Sequence, residues 1–275
     1  MKGSLDKATL GGFALVMIAM LGSIILEGGS PFTLINTSAA LLVFGGTIGA
    51  GMVSFPLPVV RRIPKLMMLA FREPKDNANA LVEQFVTLAE RARKEGLLAL
   101  EQEAATIAHP MLKKGIMFVV DGTDPELVKS MLEIEVSARE QRHEVGIGLF
   151  EALGGFAPTL GILGTVMGMI HILSKMESAT KLAVAISVAF TATLYGVASA
   201  NLLWLPIANK LKRRTADEAE AAYLIIDGVA AIQAGDNPRI VREKLAGYIA
   251  PAKGKGKKNA TESDASAGTP ANRAA

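Results

Sequence analysis

The sequence predicts an all-α polytopic membrane protein with four transmembrane helices and a helical cytoplasmic insert between the second and third. Three observations predict this class. Four apolar stretches, Ala8 to Leu26, Phe32 to Leu57, Gly146 to Ser174 and Leu182 to Ala208, each approach or exceed the roughly 20 residues that cross about 30 Å of hydrocarbon at 1.5 Å per residue. Of 29 Lys and Arg, two precede the first stretch, 13 lie between the second and third, and 12 follow the fourth, which leaves Lys175 and Lys181. Between the two pairs of stretches the apolar pattern is helical, with Leu81, Phe85, Leu88 and Ala92 on one face.

The first stretch is longer than the apolar core of a signal peptide, and only the turn Glu27 to Pro31 separates it from the second. It is therefore expected to be a retained helix of a hairpin spanning residues 1–57. Arg61, Arg62, Lys65 and Lys210 to Arg214 lie close to span ends, so the positive-inside rule places both termini and the insert 58–145 in the cytoplasm. In the insert, Gly96 is expected to end the helix through Ala92 in a left-handed conformation. A second helix should run from about Leu97 to before His109-Pro110, because proline disfavours helix in the residue before it. Asp121-Gly122-Thr123-Asp124-Pro125 reads as a turn and a capped start. From Pro125 one long helix should continue to about Ser174, with spans three and four occupying 146–208. Span four should continue through Lys210 and Ala221 to about Ala234-Gly235, and Asn237-Pro238 should open a short amphipathic helix within the cytoplasmic segment 209–250. The tail 251–275 lacks apolar periodicity and is expected to be disordered.

Several function classes are excluded. A net charge of +3 without a basic cluster among aromatics gives no nucleic-acid surface. Cysteine is absent, which removes disulfides, thiol chemistry and thiolate metal sites. His109, His143 and His171 have no ligand spacing, and no nucleophile–base pair or phosphate loop is present, so an enzyme, a resident cofactor and a metal site are not expected.

Spans three and four carry the chemistry. Neither holds a carboxylate at depth, since Glu151 lies only about a turn and a half into the third, yet Pro158, Thr165, Ser187, Thr191, Thr193, Asn201 and Pro206 are all polar or helix-breaking. Such residues avoid lipid and face protein or a wet path. A path with no titratable group of its own implies that a partner chain supplies one. Pro158, Gly161, Thr165 and Gly168 form one small stripe, answered by Ala189, Thr193, Gly196 and Ala200. By composition alone the stripes are equally a packing seam, and the prolines equally plain kinks.

The order of motifs resembles the A subunit of the bacterial flagellar motor stator, the MotA/PomA family. The resemblance covers Leu10 to Ile249. It rests on RKEGLLALE at Arg93 to Glu101, VDG at Val120 to Gly122, APTLGILGTVMG at Ala157 to Gly168, ATLYG at Ala192 to Gly196 and LPIANKLKRR at Leu205 to Arg214. It implies a homo-oligomer, expected to be a pentamer, in the inner membrane around a dimer of a B subunit whose single span supplies an essential aspartate. Ion flow would then drive a rotor. Pro158 and Pro206 match the family's coupling prolines, and Arg93 and Glu101 its charges facing the rotor switch protein. Read without the resemblance, those charges are a solvated helix face.

Thr165, Thr193, Thr191 and Tyr195 are the candidate ion-path residues, with Gly161, Gly168 and Gly196 as the packing stripe. Threonine at 165 and tyrosine at 195 resemble sodium-type members, so sodium is favoured over the proton as the transported ion. Oxygen ligands suit a hard cation, although a threonine can also bond its own helix carbonyl. The alternative is an energiser of the TolQ/ExbB kind acting on an envelope protein. Those relatives usually have three spans, which the amino-terminal hairpin argues against. A scaffold whose glycines only pack helices is a further alternative.

Overall fold

The computed structural model describes residues 6–72, 78–174 and 179–249. Lys175 and the tail 251–275, both used in the sequence analysis, lie outside the described residues. Every regular element among the described residues is helical, and four helices are long and apolar enough to cross a membrane.

Helix α1 (Lys7–Leu26) starts at Asp6, whose carboxylate accepts from the Ala8 and Thr9 amides at 2.9 and 3.4 Å. Gly28, at φ +76°, ends it by donating to Ile25 O, while Gly29 donates to Ile24 O. No residue of α1 is buried against the rest of the chain.

The second span is shorter than the expected Phe32 to Leu57. Residues Pro31–Leu34 form a single 3-10 turn, Ile35 and Asn36 are extended, and helix α2 occupies only Thr37–Ser54, including a π turn at Leu41–Gly45. The cause at the start is a cap: the Asn36 side chain accepts the Ala39 amide at 3.2 Å, which fixes Asn36 outside the helix. At the end, Phe55 precedes Pro56 and is extended, as the proline ring requires. Eighteen residues still give about 27 Å.

A short helix, α3 (Ile63–Ala70), follows just after the second span. Leu66 and Ala70 pack on Ile147, Phe150 and Ile207, whereas Arg61, Arg62 and Lys65 are exposed. Two turns are too few for periodicity to reveal it.

Helix α4 (Ala78–Glu95) has the expected apolar face. Gly96 does end it, but not in the left-handed helical conformation expected. At φ +88° and ψ 166° it occupies the extended region of positive φ that is essentially restricted to glycine, turning the chain into a 3-10 turn and α5 (Leu100–Thr106). Helix α6 (Pro110–Val120), not anticipated from the sequence, begins at His109, whose Nδ1 accepts the Leu112 amide at 3.4 Å. Burial and the nearby Arg139 hold the His109 imidazole below its usual pKa, consistent with a ring nitrogen kept free to accept.

Helix α7 (Pro125–Ser174) is continuous for 50 residues, about 75 Å, with the Asp124 carboxylate capping the Glu126 and Leu127 amides at 3.1 and 3.2 Å. Helix α8 (Ala179–Ser199) passes through a π turn at Ala200–Trp204 into α9 (Leu205–Gln233), and Gly235 at φ +75° closes it. Helix α10 (Pro238–Ala246) folds back onto α4, where Arg242 makes a two-pronged ion pair with Glu83.

Two cores result. The larger core, outside the apolar spans, gathers Phe85, Leu100, Leu112, Ile116, Leu132, Leu224 and Val229 from α4 to α7 and α9. It tolerates no side chain at Gly228, where a Cβ would meet the Phe85 ring at 2.5 Å. The second core, of Leu149, Phe150, Leu153, Trp204 and Ile207, joins α7 to the π turn and α9. The same two long helices run through both cores and connect them rigidly.

Candidate functional site

The seam between α7 and α8 is built on backbone contact. A Cβ on Gly161 would lie 2.8 Å from Ala192 O and 3.1 Å from Gly196 Cα, and one on Gly196 would lie 2.5 Å from Ala157 O. Gly168 has the same relation to Ala189, at 2.8 Å. The small stripes predicted from sequence are thus the two faces of a single crossing, and Gly164 lets Ala192 and Leu42 approach beside it. Pro158 sits one turn from Gly161 and removes the amide that would have taken Gly154 O. Pro206 is exposed and directly follows the π turn Ala200–Trp204, so both prolines flank departures from regular α-helix bonding near the seam.

Thr165 and Thr193 face each other across this crossing. Their hydroxyl oxygens are 2.5 Å apart. Thr165 Oγ1 is 3.2 Å from both Gly161 O and Ala189 O, and Thr193 Oγ1 is 3.4 Å from Gly161 O. Two hydroxyls and two carbonyls therefore form a half-buried cluster of four neutral oxygens. Such a cluster can solvate part of a small cation through partial charges, but it carries no charge of its own. Neither the stretch from Ala152 to Ser174 nor that from Ala179 to Ala208 contains an Asp or Glu. Balancing a dehydrated cation here, or storing a proton, needs a carboxylate from another chain.

The other two path candidates are engaged elsewhere. Thr191 is buried and its hydroxyl donates to Ser187 O at 3.2 Å within its own helix. Tyr195 points to α2: its hydroxyl donates to Leu34 O and accepts the Asn36 amide at 3.1 Å, and its ring lies 6.2 Å from that of Phe44. Asn36 in turn donates to Val188 O at 3.4 Å. Tyr195 and Asn36 thus clamp the start of α2 to α8, a pairing 159 positions apart that no local pattern could reveal. Only the lone Asn before an apolar run, a cap signal, marked one partner.

Beside the seam, an open groove of about 1290 Å³ runs between α2, α7 and α8, lined by Asn36, Leu42, Gly164, Gly168, His171 and Val188. His171 is exposed on its rim. Three buried polar atoms stand without a partner among the described residues: Thr47 Oγ1 on α2, Trp204 Nε1 in the π turn and, far from the seam, Gln233 Oε1 at the end of α9.

In the insert between the second and third spans, Arg93 on the last turn of α4 and Glu101 on the first turn of α5 are both exposed, and neither forms an ion pair among the described residues. Their setting is held by Arg91, which bonds Glu95 at 3.2 Å and reaches across the Gly96 turn to Glu103. Glu135 is bonded to Lys114 at 2.8 Å, and this contact holds its carboxyl below the usual range. Glu144 is exposed.

Comparison with known proteins fits this architecture. Residues 103–222 match the MotA/TolQ/ExbB proton channel family, and residues 10–96 match the motility protein A N-terminal family. The chain is 38% identical over 250 residues to Motility protein A of Bacillus subtilis, covering 90% of this chain and 92% of that one. It is 36% identical over 249 residues to the chemotaxis protein PomA of Vibrio alginolyticus, covering 89% and 96%. Among solved structures, a chain of the flagellar MotAB stator complex from Bacillus subtilis superposes with a TM-score of 0.84 at 38% identity, covering 89% of this chain and 96% of that chain. A chain of the MotAB structure from C. jejuni gives 0.86 at 29% identity, covering 93% and 100%.

The crossing yields a direct prediction. Replacing Gly196 by Ala puts a methyl group against Ala157 O at 2.5 Å, where only backbone can give way. Overpacking of this kind costs about 1–3 kcal/mol. The variant should melt at a lower temperature in detergent, whereas Gly148→Ala, whose Cβ meets nothing within 4 Å, should not. Equal melting of Gly196→Ala and the parent protein would show that the helices do not cross at these glycines.

Proposed function

The chain belongs to the motility protein A family, and from that premise we propose that its seam is one wall of an ion path whose carboxylate comes from a second subunit. It is a stator subunit of the bacterial flagellar motor, which with a B subunit converts ion flow across the membrane into torque. One observation carries the assignment of the path: four neutral oxygens at the crossing of α7 and α8, with no acid in either helix at that depth. The match of residues 10–96 to the motility protein A N-terminal family favours a flagellar stator over an envelope energiser of the TolQ/ExbB kind.

Several finer features belong to this reading. The subunit forms a pentamer around a B-subunit dimer in the inner membrane, with both termini cytoplasmic. The exposed arginines beside α3 and the contacts of Arg214 with Leu69 O and Arg72 O support that orientation, because they gather cations at one level of the spans. Sodium is the coupling ion, supported by the paired threonine oxygens and by the similarity to PomA. Pro158 and Pro206 are where the helices yield as the ion passes. The rotor switch protein is engaged by Arg93 and Glu101. Motion at the seam reaches them through α7 and α9, which pass from the membrane core into the cytoplasmic core without interruption.

The first test is reconstitution. Vesicles containing this chain alone should conduct neither sodium nor protons at the rate of the complex, and co-expression with the B subunit should create the flux. Equal flux without the B subunit would overturn the proposal.

Thr165→Ala removes one oxygen from the cluster and keeps a small residue. A hydroxyl contact is worth about 1 kcal/mol, so the sodium concentration for half-maximal swimming speed should rise several-fold. Swimming by the unaltered protein in sodium-free medium would defeat the sodium assignment while leaving the stator function in place.

The double reversal Arg93→Glu and Glu101→Arg should abolish or greatly slow rotation, while A–B assembly and ion leak persist, since exposed charges contribute about 0–1 kcal/mol to stability. Unchanged motility at low expression would rule out these residues as the rotor contact.

A further inference from the structure

Away from the seam, a second cavity of about 270 Å³ lies between α1, the end of α3 and the start of α9. Its walls are formed by Gly12, Phe13, Leu202, Pro206 and Ile207, and one end is set by Lys210. Lys210 Nζ bonds the Asp6 carboxylate and the Thr9 hydroxyl, so its charge is matched by that acid. Lys7, exposed beside Asp6, and Arg72, half-buried beside Phe71, remain as surplus positive charge at the same end. The Asp6 amide donates to Phe71 O at 3.0 Å, which holds these two basic residues close together. Arg61, Arg62 and Lys65 add exposed positive charge on the approach to α3.

The size and chemistry select the occupant. A helix with its side chains is about 10 Å across, so this volume admits no further helix. The polar side chains in the lining are Thr9, Asn201 and Lys210, and they are already bonded, Asn201 to Val197 O at 2.9 Å and Thr9 and Lys210 to each other and to Asp6, so a water cluster finds few partners. A flexible hydrocarbon chain fits, and a basic rim at the level of an interfacial helix attracts an anionic headgroup. We infer that this cavity seats one acyl chain of an anionic phospholipid, with its headgroup phosphate against Lys7 and Arg72. The inference rests on α1 and α9 entering the membrane as proposed above. The bound chain lies against Pro206 and the π-turn residue Leu202, so it also supports the break in the fourth span.

The test uses the intact A–B complex in detergent, titrated with dioleoyl phosphatidylglycerol or dioleoyl phosphatidylcholine, with retained lipids counted by native mass spectrometry. The expected result is saturable retention of phosphatidylglycerol in preference to phosphatidylcholine. Lys7→Gln and Arg72→Gln should each weaken phosphatidylglycerol retention about fivefold and leave phosphatidylcholine unaffected. Gly12→Phe, at a position where a Cβ meets nothing within 4 Å, should fill the space and displace the lipid with the rim intact. Size-exclusion profiles establish assembly of each variant, and the two charge variants decide the matter alone if Gly12→Phe does not assemble. Equal retention of both lipids, or an undiminished preference in the charge variants, would overturn the inference. Binding is read without rotation, so loss of this site and failure of the stator assignment are distinguishable.

Discussion

The approach of two helix backbones at Gly161 and Gly196 is the contact on which the membrane half of the structure depends. In a bilayer, apolar side chains gain nothing by leaving lipid for one another, so helices adhere through close van der Waals packing and shared polar groups. The crossing supplies both. The glycines let α7 and α8 meet backbone to backbone, and that distance in turn brings the Thr165 and Thr193 oxygens to 2.5 Å with carbonyl oxygens at 3.2 Å. A larger residue at either glycine would separate the oxygens as well as the helices. In the proposed reading, packing and ion chemistry are therefore the same feature, because the contact that closes the seam is also the one that gathers its oxygens. The same closeness leaves no room for a carboxylate within the seam. The charge must come from outside, which ties the function of this subunit to a partner.

The half of the chain beyond the apolar spans depends on a different kind of contact. Its core is a conventional apolar one built on Phe85, Leu112, Leu132 and Val229. Its connection to the membrane is covalent and stiff: α7 and α9 run through both regions. In the proposed mechanism, a small rotation at the crossing is carried from Gly161 down to Pro125, about 54 Å of α7. At the far end, Arg91 clasps Glu95 and Glu103 across the Gly96 turn, so the exposed Arg93 and Glu101 move with the core instead of swinging freely. Gly228 against the Phe85 ring fixes α9 to α4 in the same way that Gly196 fixes α8 to α7.

What was legible in the sequence follows from the range of each interaction. Helices α1, α4, α7 and α9 are long and periodic, and the caps Asp124-Pro125 of α7 and Asn237-Pro238 of α10 act within a few residues, so local pattern revealed them. The threonine seam was legible because Gly161, Thr165 and Gly168 on one span and Ala189, Thr193 and Gly196 on the other recur at helical spacing. The second span was drawn too long because hydropathy cannot distinguish an extended Ile35 from a helical one. What stops the helix there is the Asn36 cap, reinforced by a tyrosine 159 positions away. The turn at Gly96 was placed correctly but given the wrong conformation, since sequence shows that glycine is needed without showing which positive-φ region it occupies. Helices α3 and α6 were missed because short segments packed against a distant core carry little periodic signal of their own.

Helix α1 shows how differently the parts of one membrane protein are held. Leu15 and Ile18 are each 69% exposed, and no residue of the helix is buried. Lipid tails are as apolar as leucine, so this exposure costs nothing and gives no force drawing α1 inward. What locates it is polar and confined to its N-terminal end: Asp6 and Thr9 meet Lys210, and the Asp6 amide reaches Phe71 O. An ion pair near hydrocarbon is screened less than one in water and holds more firmly. The helix is thus anchored at one end and free along its length, beside a fourth span whose π turn and Pro206 already interrupt regular bonding. The seam is locked by backbone contact, whereas the outer helix is tethered at a point. Movement can therefore occur between them without disturbing the paired threonine oxygens at the crossing.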